Sequence, residues 1–173
     1  MGKIDIVKKG ITDMESDAIV NAANSGLHAG SGVCGAIFKN AGMRDMQAAC
    51  DAIGHCDEGN AVITPGFALK AKYVIHTVGP RWAEGGYGKA EILASCYTES
   101  IDLAVENGCK SIAFPLISSG IYGWPKEEAW RVAIQACLDK LAELDERDPS
   151  VTFCVLSDSS FEQGQNILAE LTV

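Results

Sequence analysis

The sequence predicts an α/β fold whose largely parallel sheet is covered by helices on both faces. Three observations carry this. Apolar runs of strand length alternate with stretches of helical periodicity along the whole chain. Runs such as "VIHTV", "SIAFP" and "FCVL" are continuously apolar rather than alternating, as strands buried on both faces are. Gly and Pro punctuate almost every junction.

The elements follow in order. "KIDIV" at 3–7 alternates like an outer strand, and "DAIVNAA" at 17–23 is a short apolar run ending in a loop. "GVCGAIFKNAG" and "MRDMQAACDAI" have helical periodicity, broken near Gly42. "NAVITPG" reads as a strand ended by Pro65 and Gly66, and "AKYVIHTVG" as a buried strand stopped by Gly79 and Pro80. A helix is expected over about 89–107, with Gly108 as its C-cap. "SIAFPLISSG" is a strand followed by a Ser/Gly loop. Pro125 sits where a helix's first turn tolerates it, and that helix runs to about Glu143. "SVTFCVLSD" is the last long strand, and a final helix is expected from about Ser160 to Leu171.

The chain's 173 residues suit one domain, residues 1–173, with one sizeable core. Residues 1–10 lack the apolar stretch of a signal peptide. No apolar run approaches the roughly 20 residues of a membrane span. A soluble cytoplasmic protein without a membrane partner is expected, with a monomer favoured. Fourteen basic against 23 acidic side chains leave a net charge of −9, which argues against a groove for long nucleic acid. It does not exclude a small anion held by backbone amides. The seven cysteines contain no CxxC and no zinc-site spacing, and most are expected to be small buried hydrophobes. No metal is expected. His55 lies near Cys56 and Asp57, but at the wrong spacing for a metal site. His76, inside an apolar strand, is expected to be a satisfied core histidine; His28 is expected in solvent.

In parallel α/β sheets, ligands bind on the loops beyond the strands' carboxyl ends. Two such loops are rich in Gly and small polar residues: "NAANSGLHAGSG" and "LISSGIYGWP". In the first, Gly30 and Gly32 flank Ser31 just before Val33, where the chain can approach a ligand closely and present its amides. In the second, Ser118, Ser119, Gly120 and Ile121 offer amides, and Tyr122 an aromatic face for a sugar. Each loop alone is equally readable as a plain helix start. Together, on one edge, they suggest a diphosphate held between them. Neither is a Walker A or a GxGxxG sequence. Asn21 is expected to be structural and Asn24 to face the ligand. Cys34, at a helix start, is where a thiolate would be stabilised, but no His partner can be assigned to it.

"DAIVNAAN…GSGVCGAI", "YVIHTVGP" and "FPLISSGIYGWP" resemble the macrodomain family of ADP-ribose-binding modules, closest to the branch of bacterial ADP-ribosyl hydrolases and O-acetyl-ADP-ribose deacetylases. The likeness runs from "DAIVNAAN" to "FCVLSDSSF". It implies a three-layer α/β/α sandwich around a mixed sheet of about six strands, and no cofactor. It implies that Asn24 meets the distal ribose and is the residue on which catalysis depends. Gly30, Ser31, Gly32 and Val33 would line one side of the diphosphate, next to Cys34. Ser118, Ser119, Gly120, Ile121 and Tyr122 would form the other wall. Phe161 would pack against adenine, and Ile11 would line the adenine end. Asp17 is read as structural.

The implied function is binding of ADP-ribose or an ADP-ribosylated protein, with hydrolysis of ADP-ribosyl esters on Glu or Asp, or of O-acetyl-ADP-ribose. The alternatives are a non-catalytic reader and a binder of a related nucleotide diphosphate. Two departures motivate them. "KGIT" carries Gly10 where the family has an adenine-binding aspartate, a loss of about 1.5–3 kcal/mol. "GSGVC" carries Cys34 where the hydrolase branch often has an aspartate.

Overall fold

The computed structural model describes residues 3–82, 89–120, 122–144 and 147–173. Its six strands are β1 (Ile4–Lys8), β2 (Ala18–Ala22), β3 (Ala61–Pro65), β4 (Tyr73–Thr77), β5 (Ser111–Phe114) and β6 (Ser150–Val155). Its helices are α1 (Gly32–Ala41), α2 (Met43–Ile53), α3 (Ala90–Glu106), α4 (Lys126–Leu144) and α5 (Asp158–Leu171), with a 3-10 turn at Ile11–Asp13. The sheet order is β1-β6-β5-β2-β4-β3, and only β3 runs antiparallel, against β4.

The strand alternation sorts side chains into two cores. Ile19, Val74 and Ala113 pack with Ile37, Phe38, Met46 and Cys50 from α1 and α2. Val20, Ile75, Phe114 and Phe153 face Tyr97, Ile101, Trp130, Ile134 and Ile167 from α3, α4 and α5. Two apolar faces on one sheet make the expected α/β/α sandwich.

Local chemistry fixes the junctions. Gly108 has φ 71° just beyond α3, the left-handed residue a helix end favours. Pro125 immediately precedes α4, and its carbonyl accepts the first helical bond from the Ala129 amide at 2.9 Å. The last helix begins two residues earlier than the sequence suggests, at Asp158, because Ser157 caps it by accepting from the Ser160 amide. Asp17 ties β2 to β5 by accepting from the Lys110 amide at 2.7 Å. All seven cysteines are free and buried. Among the described residues no metal-binding cluster occurs, and His55 bonds only Asp57 at 2.7 Å on the surface.

Candidate functional site

β2, β5 and β6 are parallel neighbours, so their carboxyl ends and following loops share one edge. Between these loops lies a cavity of about 640 Å³. It is lined by Asn24, Gly30, Ser31, Gly32, Val33 and Cys34 on the β2 side, and by Ser118, Ser119, Gly120 and Tyr122 after β5. Ile121 falls outside the described residues.

The first loop is held by side chains the sequence reading missed. Gln47 on α2 donates to the Leu27 carbonyl at 3.0 Å and accepts from the Ala29 amide at 2.9 Å. Asn24 closes the same turn. Its Oδ1 accepts from the His28 amide at 2.9 Å, and its Nδ2 donates to the His28 carbonyl at 2.8 Å. Asn24 is thus a brace for the loop as well as a cavity residue. The His28 imidazole is exposed and bonds nothing among the described residues. Ser31 begins α1 without a side-chain cap. Among the described residues the first-turn amides of α1 therefore have no partner, and they carry the helix's partial positive charge.

The second loop is braced from β4's end. The Trp82 amide donates to the Tyr122 carbonyl at 2.7 Å, and Trp82 packs edge-on against Trp124 at 4.9 Å. Trp124 Nε1 donates to the Pro80 carbonyl at 3.1 Å, while Arg81 lies 5.2 Å over the Tyr122 ring. Ser118 has φ 67°, and its buried hydroxyl is unpartnered. Any Cβ at residue 79 would collide with that hydroxyl and with Ile117, which explains Gly79.

Under the β2 side runs a buried polar chain. Asn21 and His76 are direct partners in the β2–β4 register. Asn21 Nδ2 donates to His76 Nδ1 at 3.0 Å and to Cys34 Sγ at 3.6 Å. His76 Nε2 therefore carries the proton and donates to Thr64 Oγ1 at 3.0 Å. Burial lowers the His76 pKa to about 4, so the ring is neutral. Cys34 in turn donates from Sγ to the His28 carbonyl at 3.6 Å.

A third group of lining residues was not foreseen: Leu116, Lys126, Cys154, Val155, Leu156, Ser157 and Ser160. "VLSDSSF" after β6 obeys the same strand-end rule as the other two loops and could have been found by it. Burial pushes the Cys154 thiol up to about 11, so it lines the cavity as a neutral group. Ile11 packs into the α1–α2 core, and Phe161 is half-buried against the α3–α5 core; neither lines the cavity. At residue 10, a side chain would start 3.4 Å from the Asp13 carboxylate.

Among the described residues no carboxylate or imidazole lines the cavity, and Lys126 is its one charged side chain. Such a lining suits an anion bound by amides and hydroxyls. It offers no side-chain general base at neutral pH.

The macro domain family model matches residues 20–133. A macro domain-containing protein of Chlorobaculum tepidum is 49% identical over 167 residues, which cover 96% of this chain and 95% of that one. An ADP-ribose glycohydrolase of Xenopus laevis is 45% identical over 162 residues, covering 92% of this chain and 38% of its own length. Among solved structures, the Oceanobacillus iheyensis macrodomain with ADP aligns at TM-score 0.88 and 35% identity, covering 96% of this chain and 90% of that one.

Proposed function

The chain belongs to the macrodomain family, and from that premise we propose that its cavity binds ADP-ribose and that the protein hydrolyses ADP-ribosyl esters. The observation that carries the reading is the cavity itself, set between two glycine-containing loops at the ends of the adjacent parallel strands β2 and β5. The diphosphate lies against the uncapped start of α1 and the amides of residues 118–120. The distal ribose reaches Asn24. ADP in the Oceanobacillus macrodomain, and the activity named for the Xenopus relative, support the ligand and the reaction class.

Hydrolysis here proceeds by positioning. The bond to a protein Glu or Asp is an activated ester whose carboxylate leaves readily, so orientation supplies much of the acceleration. Water is held between Asn24 and a phosphate oxygen of the ligand, and loop amides stabilise developing negative charge. Removal of the acetyl group of O-acetyl-ADP-ribose uses the same cavity.

The lining without a carboxylate or imidazole favours a second reading, a non-catalytic reader of ADP-ribose. One assay separates them: release of free ADP-ribose from a protein modified on glutamate, with Asn24→Ala as control. Release that disappears in the control supports the hydrolase. Binding without release at saturating protein gives the reader. Absence of binding overturns both.

A further inference from the structure

Among the described residues, one cationic side chain lines the cavity, and serine hydroxyls line it as well. Lys126 is the first residue of α4, and Ser157 and Ser160 belong to the start of α5; all three line the cavity. α4 and α5 each follow a parallel strand of the sheet and so run in the same direction. They touch where Trp130 meets Gly164, so closely that a Cβ on Gly164 would lie 2.6 Å from the indole ring. Lys126 and Ser160 each stand one helical turn before that contact, side by side at the cavity end of the pair.

The surroundings leave this corner open to an anion. Ser160 is only 5% exposed, and its hydroxyl makes no hydrogen bond among the described residues although it borders the cavity. A hydroxyl at a cavity wall with no protein partner can donate to or accept from a bound ligand. The one acid in the first turn of α5, Asp158, does not line the cavity and is held by Lys8 at 2.6 Å. Glu127, beside Lys126, lies 4.0 Å from Arg131. The N-terminal dipole of the 14-residue α5 adds to the Lys126 charge.

This corner lies on the far side of the cavity from the β2 loop and the start of α1. β6 is two strands from β2, so the start of α5 is about 10 Å from the end of β2. With the distal ribose at Asn24, the β6 side receives the adenosine half of the ligand. We propose that Lys126, Ser157, Ser160 and the start of α5 form a second anion subsite, which takes a phosphate monoester carried on the adenosine ribose. The preferred ligand is then a phosphorylated ADP-ribose. The inference rests on the reading of the cavity as an ADP-ribose site.

The test is calorimetric titration of the full chain with ADP-ribose and with ADP-ribose 2′-phosphate, repeated on Lys126→Met and Ser160→Val. The wild type is expected to bind the 2′-phosphate about tenfold more tightly, the worth of one charge-assisted contact at an exposed edge. In Lys126→Met the ratio of the two affinities should fall to about one, and in Ser160→Val it should fall severalfold. Equal affinities in the wild type overturn the inference while leaving the ADP-ribose site standing. So does an unchanged preference in Lys126→Met, or an equal loss for both ligands, which would give Lys126 to the diphosphate. If neither ligand binds, the site reading fails together with the inference.

Discussion

The side-chain amide of Asn21 donates to Nδ1 of His76 at 3.0 Å, with both residues fully buried. The pair links the cavity wall at Cys34 to Thr64 on β3, which makes the imidazole a structural member of the sheet.

That placement has a pH signature. Burial holds His76 near 4, against about 6.5 in the unfolded chain. The unfolded chain therefore takes up a proton where the native state does not. The contribution of the neutral ring is full above pH 6.5 and is lost as pH falls toward 4, a span worth about 3 kcal/mol. Urea unfolding at pH 7, 6, 5 and 4.5 should show the wild type losing about 2–3 kcal/mol more than His76→Gln. Parallel curves for the two proteins would refute this role.

Gly35 in α1 tests how tightly the first loop is pinned. Helix propensity alone says that Gly35→Ala should stabilise by about 0.5–1 kcal/mol. The structure says the opposite, because the new Cβ would stand 2.5 Å from the Gly30 carbonyl oxygen. The variant should lose about 1–3 kcal/mol in thermal unfolding and bind ADP-ribose more weakly, since the glycine loop must move.

Asn24 is expected to act through the loop as well as on the ligand. Asn24→Ala removes both bonds to the His28 backbone. The His28 amide should then exchange with deuterium faster, and stability should fall by about 1–2 kcal/mol. Asn24→Asp keeps the acceptor but sets a carboxylate against the His28 carbonyl, so its protection should lie between the two. Exchange at residue 28 as slow in Asn24→Ala as in the wild type would disprove the brace.

Cys34→Asp asks whether a base at this position is what the cavity lacks. The new carboxylate would keep the Asn21 donor but face the His28 carbonyl, which Cys34 now meets with its thiol proton. Single-turnover release of ADP-ribose should rise about tenfold or more, at some cost in stability. An unchanged rate would mean that water does not sit near residue 34.

The sheet was legible because its signals are local. Continuous apolar runs, the break at Gly42 and the stop at Gly108 mark the elements without knowledge of their neighbours. The strand order depends on distant pairings, such as β1 with β6 and β2 with β5, that no window of sequence contains. The same limit applies to the site. Two of its walls were visible as glycine-rich strand ends. Gln47, which holds the first loop, and Lys126, which lines the cavity, were not, because each comes from a helix whose orientation only packing decides. Asn24 was readable as a polar residue at a strand end, but its double bond to His28 was not. Ile11 and Phe161 are placed at the adenine end by the resemblance alone; the structure packs Ile11 with the α1–α2 core and leaves Phe161 half-buried beside the α3–α5 core.

The distribution of thiols turns the two cores into separately addressable layers. Cys34, Cys50, Cys56 and Cys154 belong to the layer under α1 and α2, and Cys96, Cys109 and Cys137 to the layer under α3, α4 and α5. In the folded chain all seven are buried; Cys34 and Cys154 border the cavity, so the other five report the opening of the layers. A brief pulse of an alkylating reagent in mild denaturant, followed by peptide mass analysis, would record which layer parts from the sheet first. The protein carries its own map of partial unfolding, with no label to introduce.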